Sequence, residues 1–578
     1  MNTQDTRDHR VCDLAALPYQ PGSPLDRRAM VVVFVTALLV RLGYLLECAG
    51  QPWFGALLLD SRYVVGQAQE FATTGSLGSG ALFRPPLYTL VLAGVWSLAG
   101  EVLPFAVPLL QHLLGALLCV LVYRITVRCW NLQAALAAGM CAAFYAPLVF
   151  YEGEILSDFL ALLLAVAFLQ AWIRGVESGR YSDFLWAGLW AGLSAVTRPA
   201  VLLPVSLLFV VGLASLLLRR GGSVPDAAAA PPRVWALASF AIPVILAVGL
   251  PTARNAAVGD PAFICSQTGI NFYIGNGGAA NGLNVVVPRV LETSGPYRDW
   301  VEEYAVLGWL QARHGDAEGL RRYLTDSDRP PAGAVSKYWM VRARDEMSAD
   351  PVRTARLFGR KALALINNAE VRNNRDFAFV RTHLSKWLAV VPVTFGWILG
   401  PALVGAFYAV RERRRSSLWL VLLYLAGAAG GVLLFFVAGR LRLAVVPPLL
   451  VLAGVGLERM VAALCQRRWP VLSNIMAVMV LGAAVSFYHW PQVDFRFSRQ
   501  QPEGLGIRAA AHPAGEFAML AVASLETGHP DAARQFAEEA IVLNPVWGYP
   551  HLLAGNAAAA RGEWAEAAMA YACLLYTS

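Results

Sequence analysis

The chain has 578 residues, 57% of them hydrophobic and 15% charged, with a formal net charge of +8 and a mean hydropathy of +0.50. Soluble domains carry roughly a quarter charged residues, so composition excludes an ordinary water-soluble globule and places much of the chain in lipid. The basic residues gather at the ends of apolar runs, which points to membrane orientation and argues against nucleic acid as a partner.

Residues 1–28 are polar and read as a cytoplasmic tail; no cleavable signal is evident, because no small-residue cleavage site follows the first apolar run. Apolar runs then predict spans at 29–46, 103–123, 131–150, 155–173, 183–197, 199–218, 233–251, 387–410, 417–437, 443–464 and 470–489. With the N-terminus inside, Arg27 and Arg28, Arg124 and Arg128, Arg174 and Arg180, Arg219 and Arg220, Arg411 to Arg415, and Arg467 and Arg468 all fall on inner flanks, as the positive-inside rule requires. The apolar stretch 87–99 is too short to span, and is read as dipping in and returning. The expected fold is therefore an all-α polytopic bundle of about eleven spans over 29–490, with outer loops 47–102 and 252–386. Within the second loop, Gly275-Asn276-Gly277-Gly278 predicts turns, and 334–364 predicts an amphipathic helix.

The C-terminal segment 510–578 reads as tetratricopeptide repeats, an α-solenoid: Gly528, Ala533, Ala540 and Pro545 fit one unit, and Gly562, Ala567 and Tyr571 begin another at a 34-residue period. The second unit stops before its closing proline, so a truncated gene model with foreign last residues is expected. Of eight cysteines, Cys48, Cys265 and Cys573 fall outside the spans and leave room for one disulfide; metal-type spacing is missing.

Chemistry concentrates on the outer side. Asp60, in Leu59-Asp60-Ser61-Arg62-Tyr63, suits a general base for an acceptor hydroxyl, and equally a helix N-cap. Arg84-Pro85-Pro86-Leu87-Tyr88 places a guanidinium where the apolar dip meets water, suited to a phosphate oxygen or to interface snorkelling. Glu152, Glu154 and Asp158 follow the third span, and Glu154 and Asp158 share a helical face. Such carboxylates ligate a divalent cation, orient a basic residue or grip hydroxyls, or form a solvated acidic turn. Thr197-Arg198-Pro199 and Gly439-Arg440-Leu441-Arg442 put arginines on the outer side, against the orientation trend, and a membrane phosphate explains them.

In chain order, Asp60, Arg84 to Tyr88, Glu154 to Asp158, Thr197-Arg198-Pro199, Arg254-Asn255, Gly275-Asn276 and Arg440-Leu441-Arg442 resemble the GT-C superfamily of membrane glycosyltransferases. The similarity is to its protein O-mannosyltransferase and aminoarabinose-transferase branch, in versions with tetratricopeptide tails. The resemblance implies a polyprenyl-phosphate sugar donor, inversion at the anomeric carbon, and Asp60 as base, with Glu154 and Asp158 as companion acids. The family's second-loop acid is usually Glu where this chain has Asp158. Arg62, Arg84, Tyr88, Arg198, Arg254, Asn276, Arg440 and Arg442 are the expected substrate contacts. A divalent metal is found near the site in some relatives, and its ligands do not map onto this chain. The resulting expectation is a bacterial inner-membrane enzyme working on the external side, with a protein, lipid or glycan acceptor and a partner bound by the repeats. A polytopic flippase and a non-catalytic scaffold for the repeats are the competing readings.

Overall fold

The computed structural model describes residues 23–218, 233–283, 300–325, 330–412, 417–491 and 513–577. Among these residues the regular structure is helical, and one isolated backbone bridge joins Tyr145 to Val393. Helix α1 (Pro24–Ala49) begins where the Ser23 hydroxyl accepts from the Asp26 amide and proline fills the first turn, where its missing N–H costs nothing. Val31, Val35, Leu39 and Leu46 are exposed, while Val33, Ala37 and Tyr44 are buried. One stripe of the helix thus faces lipid and the other the bundle.

Helix α2 (Asp60–Thr74) lies outside this bundle and shares a core with α3 (Pro86–Ala99), formed by Tyr63, Val64 and Ala68 with Tyr88, Leu92 and Ala93. The 14 residues of α3 extend about 21 Å, short of the roughly 30 Å hydrocarbon core. A single 3-10 turn, Gly100–Val102, leads into α4 (Leu103–Cys129).

The predicted span 131–150 is broken into α5 (Leu132–Ala143) and α6 (Ala146–Glu152). The predicted span 387–410 is likewise broken, into a short helix Lys386–Val390 and α16 (Phe395–Arg411). Both departures have one cause. The Ala146 amide donates to Val393 O at 2.9 Å and the Val393 amide to Phe144 O at 3.2 Å, so two backbones satisfy each other where continuous helices would have run.

Helices α7 (Ser157–Ser178), α8 (Tyr181–Ala195), α9 (Leu202–Leu218) and α10 (Arg233–Ala257) follow. The segment after α10 holds α11 (Gln267–Asn276), α12 (Trp300–His314), α13 (Asp316–Thr325), α14 (Ala332–Ala349) and α15 (Pro351–Ile366). The predicted single helix over 334–364 is two, because Pro351 interrupts it and Asp350 caps α15 through the Arg353 amide at 2.9 Å. The predicted turn at 275–278 is partly helix. Gly275 stays inside α11, where a Cβ would strike the backbone of Phe435.

After α16 come α17 (Leu418–Leu434), the single turn α18 (Gly439–Arg442), α19 (Val446–Cys465) and α20 (Trp469–Phe487). Among the described residues six stretches are long and apolar enough to cross a membrane, and α5, α16, α17 and the stretch Pro199–Ala214, which includes most of α9, are shorter apolar helices. Small residues let these helices approach closely: a Cβ on Gly188 of α8 would enter the backbone of α10, and one on Gly405 of α16 that of α19.

The C-terminal segment forms two antiparallel helical pairs, α21 (Ala514–Glu526) with α22 (Pro530–Leu543), and α23 (Gly548–Ala560) with α24 (Trp564–Thr577). Gly528 and Gly562 turn the pairs at positive φ, 76° and 79°. Leu520 and Ala523 of α21 belong to the same buried core as the membrane helices, so this helix is docked on the bundle. Cys48 and Cys265 are buried thiols and form no disulfide, so the bridge for which the sequence left room is not made between them.

Candidate functional site

A cavity of about 590 Å³ opens between α2, α7, α9, α17 and α18, and five charged side chains line its mouth: Asp60, Arg84, Asp158, Arg198 and Arg440. Local sequence sets each one. Asp60 is the first residue of α2, aimed by Leu59 at φ 52°, a conformation uncommon for a residue with a β-carbon. Pro85 and Pro86 fix the approach to α3 and leave Arg84 at the rim. Asp158 lies in the first turn of α7, Arg198 just before the 3-10 turn Pro199–Val201, and Arg440 on α18.

Arg84 Nη2 donates to Asp60 Oδ1 at 2.8 Å, and Arg440 Nη1 to Asp60 Oδ2 at 2.7 Å. Arg198 pairs with Asp158, whose second oxygen lies 3.6 Å from Arg440 Nη1. The network holds three guanidiniums and two carboxylates, leaving one positive charge unmatched. Burial alone would raise the Asp60 carboxyl, but Arg84 and Arg440 overcome it and hold the group well below the usual carboxylate range. Below the mouth the cavity turns apolar, between Leu202 and Pro204 of α9 and Tyr424, Ala428 and Val432 of α17. Polar, uncharged side chains line it as well: Gln267, Thr268 and Asn271 with Asn373 and Asn374.

Tyr88 also lines the cavity, and its hydroxyl donates to Gln111 Oε1 at 3.0 Å. The other residues expected at the site lie elsewhere. Glu154 pairs with Arg375 at 3.3 Å, beneath a cation–π contact of Arg375 with Trp53 at 4.5 Å. Burial pushes its carboxyl up; Arg375 opposes this and Glu516 adds to it. Arg442 is fully engaged by Glu370, Asn367 O and the Phe395 ring, 4.3 Å away. Arg62 points toward Glu526 of α21 and donates to Leu57 O at 2.9 Å. Arg254 grips the carbonyls of Gly78 and Gly80. Asn276 accepts from Lys361 Nζ at 2.8 Å and donates to Leu434 O at 2.8 Å, closing the end of α17. All five are held by partners within the protein.

Sequence reasoning singled out Glu152 but missed the strap 370–376 and the buried partners of Glu152, Arg41 and His112. Arg41 Nη2 donates to Glu152 Oε1 at 2.9 Å, and His112 Nδ1 lies 3.4 Å from Glu152 Oε2. The signal was an arginine interrupting an otherwise apolar first span, which in lipid demands a partner. A divalent cation does not fit the cavity mouth. Hard cations need about six oxygens, whereas the two carboxylates here are each held by guanidinium. Among the described residues no group of three His, Cys, Asp or Glu side chains converges.

Residues 83–227 match the dolichyl-phosphate-mannose-protein mannosyltransferase family. Among solved structures, the Archaeoglobus fulgidus oligosaccharyltransferase in the apo form is 13% identical at TM-score 0.41, covering 81% of this chain and 56% of its own. The chain thus spans little more than half that enzyme's length. The Archaeoglobus oligosaccharyltransferase AglB with an inhibitory peptide and a dolichol-phosphate is 14% identical, TM-score 0.40, at 81% and 57% coverage. ArnT from Cupriavidus metallidurans bound to undecaprenyl phosphate is 14% identical at TM-score 0.31, covering 75% of this chain and 78% of that one. No curated protein sequence matches the chain. The match over 83–227 bears out the GT-C resemblance on the stretch that carries Arg84, Tyr88, Glu154, Asp158 and Arg198, in a chain that is an integral, multi-pass membrane protein.

Proposed function

We propose that this protein transfers a sugar from a polyprenyl-phosphate donor to an acceptor hydroxyl at the external face of a bacterial inner membrane. The observation that carries the reading is one cavity joining a cationic mouth to an apolar crevice between α9 and α17, a pairing suited to a phosphate with a hydrocarbon tail. The surplus positive charge of Arg84, Arg198 and Arg440 over Asp60 and Asp158 matches the single charge of a phosphodiester. The lipid tail would lie along the apolar lining contributed by α9 and α17.

Asp60 takes the proton from the acceptor hydroxyl, the acceptor oxygen bonds to the anomeric carbon with inversion, and the carbon–phosphate oxygen bond breaks. Its electron pair leaves on polyprenyl phosphate, whose growing negative charge the fixed guanidiniums stabilise. In the resting state Asp60 is a weak base, because Arg84 and Arg440 hold it ionised. A donor phosphate competes for the same two guanidiniums and so raises the basicity of Asp60 as it binds. Asp158 keeps Arg198 in place. The two helical pairs α21 to α24 are read as tetratricopeptide repeats that present a protein acceptor or partner, on an eleven-span topology with loops 47–102 and 252–386 outside.

The test is Asp60→Asn, which keeps the shape and removes the basicity. Loss of a general base costs on the order of a hundred- to ten-thousandfold in rate. The variant should insert normally, bind undecaprenyl phosphate, and leave the cell's polyprenyl-linked sugars unused in mass analysis. Near-normal transfer would refute the assignment. The flippase reading predicts instead that lipid-linked sugar stops crossing the membrane while transfer chemistry is unaffected.

A further inference from the structure

Between α15 and α16 the chain crosses the cavity as a strap, Glu370-Val371-Arg372-Asn373-Asn374-Arg375-Asp376. Its two asparagines line the cavity, and nearly every charged neighbour is pinned. Glu370 pairs with Arg442, beside Gly439, where a Cβ would strike that carboxylate and the Tyr151 hydroxyl. Arg375 pairs with Glu154. Asp376 accepts from the Phe379 amide at 2.9 Å. Arg372 pairs at 2.8 Å with Glu516, a residue of the C-terminal helix α21 whose side chain is 3% exposed.

The same helix makes further contacts. The Phe517 ring meets Phe379 edge-on at 5.0 Å, just past the strap. Glu526 pairs with Arg62, two residues beyond Asp60 on α2, and the Thr527 hydroxyl donates to Pro52 O. One helix therefore reaches both walls of the cavity: the strap carrying the asparagines and the helix carrying the aspartate.

We propose that α21 is a positioning element of the transfer site, and that Glu516, acting through Arg372, fixes Asn373 and Asn374 as contacts for the hydroxyl groups of a substrate. This rests on the transferase reading given above. A carboxamide both donates and accepts, which suits the hydroxyls of a sugar ring or acceptor, and Asn373 and Asn374 line the same cavity as the arginines. Glu516 is buried and Arg372 half-buried beside it, and a buried charge left unpaired is strongly unfavourable. Releasing Arg372 therefore frees the strap, and with it the two asparagines. The helical tail and the catalytic cavity then work as one unit, and an acceptor carried on the tail is delivered to a site that the tail itself holds in shape.

The experiment uses the full chain in detergent, with undecaprenyl-phosphate mannose as the probe donor and thiol labelling as a second readout. Glu516→Gln should lower transfer efficiency by about tenfold or more, and should not add to Asn373→Ala/Asn374→Ala, since coupled residues are non-additive. Exchanging the pair, Arg372→Glu with Glu516→Arg, should recover part of the loss. Arg534→Ala, whose partners Glu538, Glu563 and Glu566 all lie in the tail, should transfer normally. A cysteine at Asn374 should react with a soluble thiol reagent several-fold faster when Glu516→Gln is also present. If Glu516→Gln leaves both transfer and Asn374→Cys labelling unchanged, α21 is only an appendage and the proposal falls. If the unaltered chain transfers nothing from the probe, the donor reading fails instead, while the labelling result still decides whether the clamp exists.

Discussion

Two clusters of ion pairs sit within one short stretch of α6, α7 and their partners, and they differ in what surrounds them. Arg41 and Glu152 are wholly enclosed, at 0% side-chain exposure each. Gly115 makes room for the carboxylate, since a Cβ there would collide with it, and the charges balance one to one. Asp60, Asp158, Arg84, Arg198 and Arg440 instead line an open cavity with cation in excess. Three acids close in sequence thereby take three positions: Glu152 pairs with Arg41 in the bundle, Glu154 with Arg375 on the strap, and Asp158 lines the cavity. A balanced, enclosed pair has nothing left to offer a ligand; an unbalanced, open one does.

The enclosed pair should be the costlier to break. Removing one partner of a buried pair destabilises by about 3–5 kcal/mol, whereas replacing both by apolar groups is often tolerated. Arg41→Met alone should therefore cut the yield of folded protein sharply, and Arg41→Met with Glu152→Leu should restore most of it, judged by gel-filtration recovery in detergent. Should the single variant fold as well as the double, the trio is not a fastening and the contrast collapses.

The open cluster should lose a charge without losing the fold. Arg440→Gln should remain folded yet bind undecaprenyl phosphate about ten- to a hundredfold more weakly, the worth of a charge-assisted contact at roughly 1.5–3 kcal/mol. Unchanged affinity would reduce Arg440 to an interface anchor. Arg442→Gln offers the sharper control: its partners are Glu370 and Asn367, so it should act on folding rather than on the lipid phosphate.

The contrast also explains what could be read from sequence. Apolar runs and arginine flanks reveal helices in lipid, because both the bilayer and the orientation rule act on local composition. Asp60, Arg84, Arg198 and Arg440 were legible for a related reason, as charges on the side where orientation does not require them. Arg442 carried the same signal as Arg440 two residues away, and only the course of the strap shows that Glu370 consumes it. For Glu154 the sequence offered a role orienting a basic residue, and its partner is Arg375, far along the chain, which no local pattern indicates. The helix breaks at Tyr145 and Val393 were equally hidden, since each arises from a backbone that is distant in sequence.

Titration gives the finest comparison. Arg84 and Arg440 depress the Asp60 carboxyl in the folded protein, so its pairs stabilise the fold above the unfolded carboxylate pKa, near 3.9. That stability is lost only as pH falls through the still lower folded value. Between pH 4.5 and 7 this group should therefore leave unfolding in detergent indifferent to pH. With Arg84→Gln and Arg440→Gln together the sign reverses: burial, the opposing influence on Asp60, now raises the folded pKa above the unfolded one. Asp60 then favours the fold at low pH and costs stability as pH rises through the folded value, about 1.4 kcal/mol for each tenfold difference in proton affinity between the folded and unfolded chain. Relative to the unaltered protein, the double variant should lose more stability at pH 7 than at pH 5. A difference that is flat with pH, or opposite in sign, would mean that Arg198 and solvent suffice to keep Asp60 ionised, and that the arginines across the mouth do not control the proposed base.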